Sequence, residues 1–366
     1  MNAPPPARPR GFRSRLASFG PARAAALGLL LTLPALAAKY GTDDYLFRCQ
    51  LGAAQCPDLR ARWAPWDMFR FFDGTAALAR ARRELGYAPW WSLDEMRTVF
   101  FRPIASLTHA FDWLVLGERP WAMHLHSVLW YGLLAAVAAA LYRRLLGPTW
   151  VAGLAALLYA VDDAHGVPVG WLANRNGLCA AVFGLLAVGA YARWREQGSR
   201  PAAWLAHAAL AAALLSAEAG VAAFLYLGAY ALTLDKAPLK GRLLALLPSA
   251  ALVALWRIGS VAAGYGAYGS DFYVDPGREP LAFARTAVER VPALLFGQFT
   301  ISLVTDLWSI MGPRPAPRSG APASPSPPGS SGSPGPCCGA IRGRASSPWA
   351  RSPRACSSPA SSPPTA

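Results

Sequence analysis

The sequence predicts an all-α protein that forms a polytopic transmembrane helical bundle. The first observation is composition: 54% of the 366 residues are hydrophobic and only 15% are charged, whereas soluble domains carry roughly 25% charge. The second is that the apolar residues fall into blocks such as "VLWYGLLAAVAAALY" and "LCAAVFGLLAVGAY". Such blocks approach the roughly 20 residues that cross about 30 Å of hydrocarbon. The bilayer is therefore the first expected partner.

The excess of basic over acidic residues lies largely at the two ends of the chain. The formal net charge is +15, but neither residues 1–23 nor residues 313–366 contain an acid. The terminal arginines are Arg8, Arg10, Arg13, Arg15 and Arg23 at one end and Arg314, Arg318, Arg342, Arg344, Arg351 and Arg354 at the other. Basic residues that flank apolar spans orient a membrane protein. The charge therefore requires no nucleic-acid partner.

About eight helices are expected in a transmembrane domain over residues 22–312. The hydrophobic pattern places them at 22–38, 120–142, 149–165, 177–193, 202–216, 218–234, 243–260 and 287–308. Lysines and arginines lie in alternate connections, 143–149, 193–201 and 235–242. With those connections and a basic N-terminus of residues 1–21 in the cytoplasm, the 40–119 segment lies outside.

The first apolar block has two interpretations. Ala35, Leu36 and Ala37 form an A-x-A pattern, which is typical of a signal-peptide cleavage site. We favour a retained helix because further spans follow.

The extracytoplasmic first loop, residues 40–119, contains an amphipathic helix by its pattern. Ile104, Leu107, Phe111, Leu114 and Val115 recur at helical spacing between tryptophans, which is typical of a helix lying in the membrane interface. Two cysteines, Cys49 and Cys56, lie earlier in the same loop. In an oxidising compartment they form a disulfide or remain free thiols, and the sequence does not decide between the two.

Residues 313–366 differ in character from the rest of the chain. They contain 14 Pro and 13 Ser and no acidic residue, a composition that cannot bury a core. The segment is predicted to be a disordered Pro/Ser-rich tail. An alternative hypothesis is that it is translated out of frame, because shifted GC-rich Ser, Pro and Arg codons would encode Leu, Val and Ala.

Polar residues collect where the predicted helices meet the extracytoplasmic side. Asp43 and Asp44 follow the first helix directly, and Glu218 lies between the fifth and sixth helices. The others are Asp162, Asp163, His165, Asn174, Arg175, Asn176 and Arg257. Each one alone is readily explained as a solvated group at a helix end. Together on one face they indicate the lining of a site, because ionisable groups near hydrocarbon are costly.

A resemblance is carried by four segments in a fixed order. They are the "DD" of residues 43–44, "FRPIASLTHAFDWLVLGERPWAMHLHSVLWYG", "LLYAVDDAHGVPVGWLANRNGLCAAVFGLLAVGAYARW" and "LLSAEAG". Over roughly residues 20–310 the chain resembles bacterial membrane glycosyltransferases of the GT-C superfamily, in particular the protein O-mannosyltransferase-like and tetratricopeptide-associated transmembrane transferases. The resemblance implies a GT-C-like core in the bacterial inner membrane with its active face extracytoplasmic.

The resemblance also implies roles for individual residues. Those families transfer a sugar from a polyprenyl-phosphate donor to an acceptor hydroxyl on a protein or glycan, with no further cofactor assigned. One acid of the pair after the first helix is the base, a position held here by Asp43 and Asp44. The candidate substrate-binding residues are Arg102, His165, Arg175, Glu218 and Tyr268. The two arginines are expected to bind the leaving phosphate, since guanidinium binds phosphate bidentately.

The chain departs from that family pattern at the end of the third helix. Asp162 and Asp163 stand where a His-Pro is common, His165 is kept, and Val167 replaces a Glu. The sequence has no CxxC pair, His-rich spacing or Gly-rich phosphate loop, so no metal ligands are assigned. The alternative function is that of a non-enzymatic transporter or flippase-like component, which predicts charges and broken helices near the midplane.

Overall fold

The fold was examined in a computed structural model, which describes residues 11–51, 64–88, 90–269, 273–274, 276–277 and 279–299. The predicted tail of residues 313–366 and the cysteine Cys56 lie outside the described residues. The helices are α1 (Phe12–Ala17), α2 (Pro21–Thr32), α3 (Thr42–Gln50), α4 (Ala76–Glu84), α5 (Pro103–Phe111), α6 (Pro120–Leu146), α7 (Trp150–Val161), α8 (Gly166–Gly170), α9 (Arg175–Gln197), α10 (Arg200–Leu214), α11 (Val221–Thr233), α12 (Leu239–Ala262) and α13 (Pro280–Phe299). The strands are β1 (Arg70–Asp73), β2 (Arg97–Val99) and β3 (Gly266–Tyr268).

The described part of the chain is predominantly helical, as predicted. Three of its helical segments are long and apolar enough to cross a membrane: Pro120–Leu146, Leu172–Gln197 and Leu239–Ala262. Shorter apolar helices accompany them over Pro21–Ala37, Trp150–Val161 and Glu218–Thr233. The positions of these helices agree with the predicted ones to within a few residues at each end. The last predicted helix, 287–308, falls only partly within the described residues, in α13.

Small residues bring the bundle helices close together. Helix α9 packs against α10 through Ala187, Ala206 and Leu210, all of them buried. Near the start of α7, a side chain at Gly153 would collide with the backbone carbonyl of Leu16 in α1. Alanine and glycine at helix interfaces allow this approach because they carry little or no side chain. The Ala-rich blocks of the sequence are therefore packing surfaces between helices.

The first apolar block packs into the bundle as two segments. Helix α2 ends at Thr32 and a 3-10 helix continues from Leu33 to Ala37. Gly28 of α2 lies against the ring of Tyr131 in α6, where an added Cβ would sit 3.1 Å from the ring. That this block is retained as a helix and not cleaved stays a prediction.

A small sheet interrupts the otherwise helical architecture. Strand β2 pairs antiparallel with β1 on one side and with β3 on the other. The all-α prediction missed this sheet, because its strands are only three or four residues long and too short to show an alternating pattern. The sheet joins the 40–119 segment to the residues that follow α12, which are distant in sequence.

The predicted amphipathic helix is present as α5 followed by a π-helical turn, Asp112–Leu116. The apolar residues that predicted it include Leu107 and Leu114, which are exposed. Its polar residues Ser106, His109 and Asp112 are buried against the bundle. An exposed apolar face suits the membrane interface, and its location in a bilayer stays a prediction.

The cysteine Cys49 in α3 is disulfide-bonded. Because Cys56 lies outside the described residues, the pairing of these two cysteines stays a prediction.

Polar groups lie at both ends of the bundle. At one end α9 begins with Arg175, and at the other Arg195 near its C-terminus pairs with Asp235. Arg144, at the end of α6, pairs with Glu196 at this second end. Twenty residues of helix separate Arg175 from Arg195, which corresponds to about 30 Å at the rise of an α-helix. That length matches the hydrocarbon thickness of a bilayer.

Candidate functional site

Helix α3 places the two neighbouring carboxylates in different surroundings. Asp44 is buried, and its Oδ2 accepts a hydrogen bond of 2.7 Å from the backbone N–H of Gly41. Its Oδ1 accepts a second one of 2.9 Å from the backbone N–H of Ala173. The carboxylate therefore caps the start of α3 and ties it to the turn before α9.

Asp43 is partly exposed and has charged neighbours. Burial and the charge of Asp44 together raise the pKa of its carboxyl to about 6, against the opposing effect of the Arg102 guanidinium. Burial also raises the pKa of Asp44 to about 6, against the opposing effect of its two backbone hydrogen bonds. Adjacent acids with raised pKa values are typical of functional sites.

Arg102 forms the cationic side of the site. Its Nη2 lies 2.6 Å from Oε2 of Glu218 and its Nε donates to the same oxygen at 2.8 Å. The guanidinium also stacks over the ring of Phe100, 4.2 Å from the centroid. With the Asn176 amide oriented to satisfy its neighbours, its oxygen accepts from Nη1 at 3.2 Å. Arg102 and Glu218, both singled out from the sequence, are thus in direct contact, and the charge of Arg102 acts on the carboxyl of Asp43.

A cavity of about 320 Å³ adjoins this group, with Glu218 in its wall. Its other walls carry aromatic rings and a few polar groups, including Phe101, Trp256, Arg257, Ser260, Tyr265 and Tyr273. Apolar walls with few polar groups are typical of small-molecule sites. Aromatic faces with hydroxyl and carboxylate groups at the rim suit a sugar.

An apolar groove leads from this cavity along the bundle. It has a volume of about 310 Å³ and lies between α10, through Leu214, and α12, through Leu252 and Leu255. Groove and cavity share Phe101, Trp256 and Ser260. The groove therefore adjoins the cavity that Glu218 lines.

Arg175 lies behind the carboxylates and does not line the cavity. Its side chain is completely buried, and its Nη1 lies 2.5 Å from Oδ2 of Asp112. It also donates to the hydroxyl of Ser127 at 2.9 Å and to the backbone carbonyl of Met123 at 2.8 Å. The position of Arg175 is that of a structural cation that joins α5, α6 and α9.

A buried polar cluster extends from Asp112. Its Oδ1 lies 2.6 Å from Nδ1 of His126, whose Nε2 accepts a hydrogen bond from the indole of Trp130. His109 lies three residues before Asp112. Its Nε2 has no hydrogen-bond partner in the described part of the chain, and burial keeps the pKa of His109 well below its usual range. This imidazole is therefore neutral.

The two remaining candidates lie elsewhere. The ring of His165 packs against Tyr159 and Tyr131, with centroids 4.7 and 4.9 Å away. Tyr268 belongs to strand β3 and pairs with Arg97. Neither is among the described residues that line the cavity.

The sequence interpretation missed two parts of the site. It did not find the groove, nor the aromatic wall formed by Phe100, Phe101 and Trp256. Trp256 directly precedes Arg257, which the sequence analysis singled out. The sequence could therefore have predicted that Trp256 lies near the site. Among the described residues, no group of three or more His, Cys, Asp or Glu side chains could hold a metal ion.

Comparison with known proteins gives no relative of this chain. No family model matches it, and no curated protein and no solved structure matches it either.

Proposed function

We propose that this chain is a membrane glycosyltransferase that transfers a sugar from a polyprenyl-phosphate donor to an acceptor hydroxyl. The single observation that carries the proposal is Asp43, a carboxylate whose raised pKa is opposed by the charge of Arg102. Glu218, which holds Arg102, lines an aromatic cavity, and an apolar groove adjoins that cavity. This combination provides a base, a cation, a place for a sugar and a path for a lipid chain.

Asp43 acts in the proposed mechanism as the general base. It accepts the proton of the acceptor hydroxyl as the oxygen attacks the anomeric carbon, and the bond from that carbon to the phosphate oxygen breaks. With a pKa of about 6, the carboxyl is roughly nine-tenths ionised at pH 7 and is more basic than an ordinary aspartate. Its neighbour Asp44 holds α3 in place, because both of its oxygens are occupied by backbone N–H groups.

Arg102 stabilises the leaving phosphate in this mechanism. Its guanidinium is held by Glu218, whose side chain is 40% exposed and free to give up part of this contact to an arriving anion. Arg257, in the cavity wall, provides a second cation. Guanidinium groups suit this role because they bind phosphate oxygens bidentately. Arg175 supports the site from behind by holding Asp112.

The groove between α10 and α12 is the proposed site of the isoprenoid chain. Its lining is almost wholly apolar, through residues such as Leu214 and Leu255, and it shares Phe101 with the cavity. A lipid-linked sugar would thus keep its tail in the groove and its sugar against the aromatic walls. This arrangement belongs to the face proposed to be extracytoplasmic, in a bacterial inner membrane.

The test is a transfer assay with the purified full chain in detergent micelles. A polyprenyl phosphate carrying a radiolabelled hexose is supplied with peptide and glycan acceptors, and both the labelled product and free polyprenyl phosphate are measured. We expect transfer that Asp43→Asn lowers by roughly two to four orders of magnitude. The matched control, Glu95→Gln, removes an exposed carboxylate of the same segment and should retain activity. Full activity of Asp43→Asn would remove the mechanism, and movement of the intact donor across vesicles without cleavage would favour a flippase.

A further inference from the structure

A second cavity lies between other helices of the bundle. An apolar groove of about 480 Å³ runs between α9 and α11 and reaches α6 and α7. Its floor is made of small residues such as Ala181 and Ala222, and its walls carry Leu185 and Tyr226. None of the residues that line it takes part in the proposed transfer site.

The groove ends in a polar pocket at the second end of the bundle. This pocket has a volume of about 420 Å³ and shares Leu145, Tyr230 and Leu234 with the groove. Its polar lining includes Arg144 and Lys236. Both belong to connections with excess Lys and Arg, at the opposite end from the carboxylates of α3.

The pocket carries excess positive charge. Arg144 pairs with Glu196 at 2.6 Å and Arg195 pairs with Asp235 at 2.6 Å. These two pairs leave Lys236, for which the described residues contain no ion-pair partner. The Nε of Arg144 is buried and has no hydrogen-bond acceptor in the part of the chain that the structure describes. Lys236 therefore lines the pocket without a counter-charge among the described residues, beside Arg144, whose buried Nε has no acceptor there.

We propose that this groove and pocket bind one membrane phospholipid with an anionic headgroup. An acyl chain lies in the groove between α9 and α11, and the phosphate lies beside Lys236 and Arg144. The occupant is a lipid because the apolar groove and the basic pocket adjoin and share three lining residues, whereas a soluble anion would use only the basic part. Basic pockets between membrane helices are sites of this kind. The site is independent of the proposed transferase function.

The charge arm of the test compares lipids that differ in headgroup. The purified full chain in neutral detergent is titrated with phosphatidylglycerol, with phosphatidylcholine and with glycerol phosphate, and bound lipid is counted by native mass spectrometry. We expect phosphatidylglycerol to bind at one site, and the other two to bind weakly. Lys236→Gln should weaken the binding of phosphatidylglycerol about fivefold, since a basic residue near a lipid surface contributes about that factor to the affinity. Lys240→Gln, an exposed lysine that does not line the pocket, is the matched control.

The groove arm of the test blocks the acyl chain. Ala181→Leu places a larger side chain in the groove, and Ala254→Leu places the same one on an exposed position of α12. We expect only the first to abolish binding of phosphatidylglycerol. Equal binding of both phospholipids, an equal effect of the two lysine changes or unchanged binding in Ala181→Leu would overturn the proposal. Comparable binding of glycerol phosphate would show a soluble-anion site and would also overturn it.

Discussion

Asp43 and Asp44 are adjacent in sequence and share a raised pKa, but different atoms surround them. Both oxygens of Asp44 accept backbone N–H groups, from Gly41 and Ala173. Asp43 instead remains partly exposed, and the charge of Arg102 acts on its carboxyl. The first acid of the pair is therefore available for chemistry and the second holds the backbone, so the two should respond differently to the same change.

We expect Asp44→Asn to destabilise the protein. The asparagine amide has one acceptor oxygen, so one of the backbone N–H groups, of Gly41 or of Ala173, would face an NH₂ group. An unsatisfied buried donor costs about 1–3 kcal/mol. Thermal unfolding in detergent micelles should show a lower Tm than that of the unchanged chain, and an unchanged Tm would contradict the capping role of Asp44.

We expect Asp43→Asn, by contrast, to raise the Tm at pH 7. The folded state raises the pKa of this carboxyl from 3.8 to about 6, so it binds the proton more tightly than the unfolded state does. Stability therefore falls as the pH rises through this range, and the cost is fully present at pH 7. Asparagine carries no charge and removes the cost. A Tm difference that is large at pH 7 and small at pH 3.5 is the signature, and a clear loss of stability at pH 7 would contradict it.

The transfer reaction should show an acid limb near pH 6. The proposed base works only as a carboxylate, and both Asp43 and Asp44 have pKa values of about 6. Because the two acids interact, the limb reports the pair and not one residue. We expect kcat/KM to rise with pH between about 5 and 7 and then to level off. A profile that is flat over this range would exclude either acid as the base.

At the scale of the elements, a buried ion pair fixes α5 to α9. Arg175 and Asp112 are both buried and lie 2.5 Å apart. Arg175 directly follows the turn whose Ala173 N–H binds Asp44. The pair therefore sets the position of α3 relative to α9, and through it the direction in which Asp43 faces.

Removing one partner of this pair should be costly. Asp112→Asn leaves the Arg175 guanidinium buried without its counter-charge, and such changes cost about 3–5 kcal/mol. We expect a lower Tm in detergent micelles, with partial recovery in the double variant Asp112→Asn with Arg175→Met. Additive losses in the double variant would show that the two side chains do not act as a pair.

The helices could be predicted from sequence, whereas most of the site could not. The apolar blocks determine α6, α9 and α12 because a span needs a long run of apolar residues. The pairing of Asp112 with Arg175 joins residues that are 63 positions apart, and no local pattern encodes it. The cavity likewise takes its walls from β2, α12 and the residues around β3. Asp43 and Glu218 were found because they lie at the ends of predicted helices, and Arg102 because its guanidinium could bind the leaving phosphate.

At the scale of the whole bundle, polar groups form two layers about 30 Å apart. The basic connections meet at one end, where Arg195 contacts Asp235 and Arg143 donates to the backbone carbonyl of Ala17 in α1. Asp43, Arg102 and Glu218 lie at the other end. The predicted cytoplasmic connections thus share one layer, as they must if a single bilayer surrounds the bundle.

The final prediction concerns which end of the bundle lies on which side of the membrane. Because alternate connections carry the Lys and Arg excess, we expect the layer of Arg195 to be cytoplasmic and the layer of Asp43 to be outside. Single cysteines at two exposed positions, Glu95→Cys and Gln197→Cys, report the two layers when the native cysteines are replaced. A membrane-impermeant maleimide should label Glu95→Cys in intact cells and Gln197→Cys only after permeabilisation.

The reverse pattern would place Asp43 in the cytoplasm, and the donor would then have to be presented on that side. Labelling of both in intact cells would show that the two layers are not separated by a bilayer.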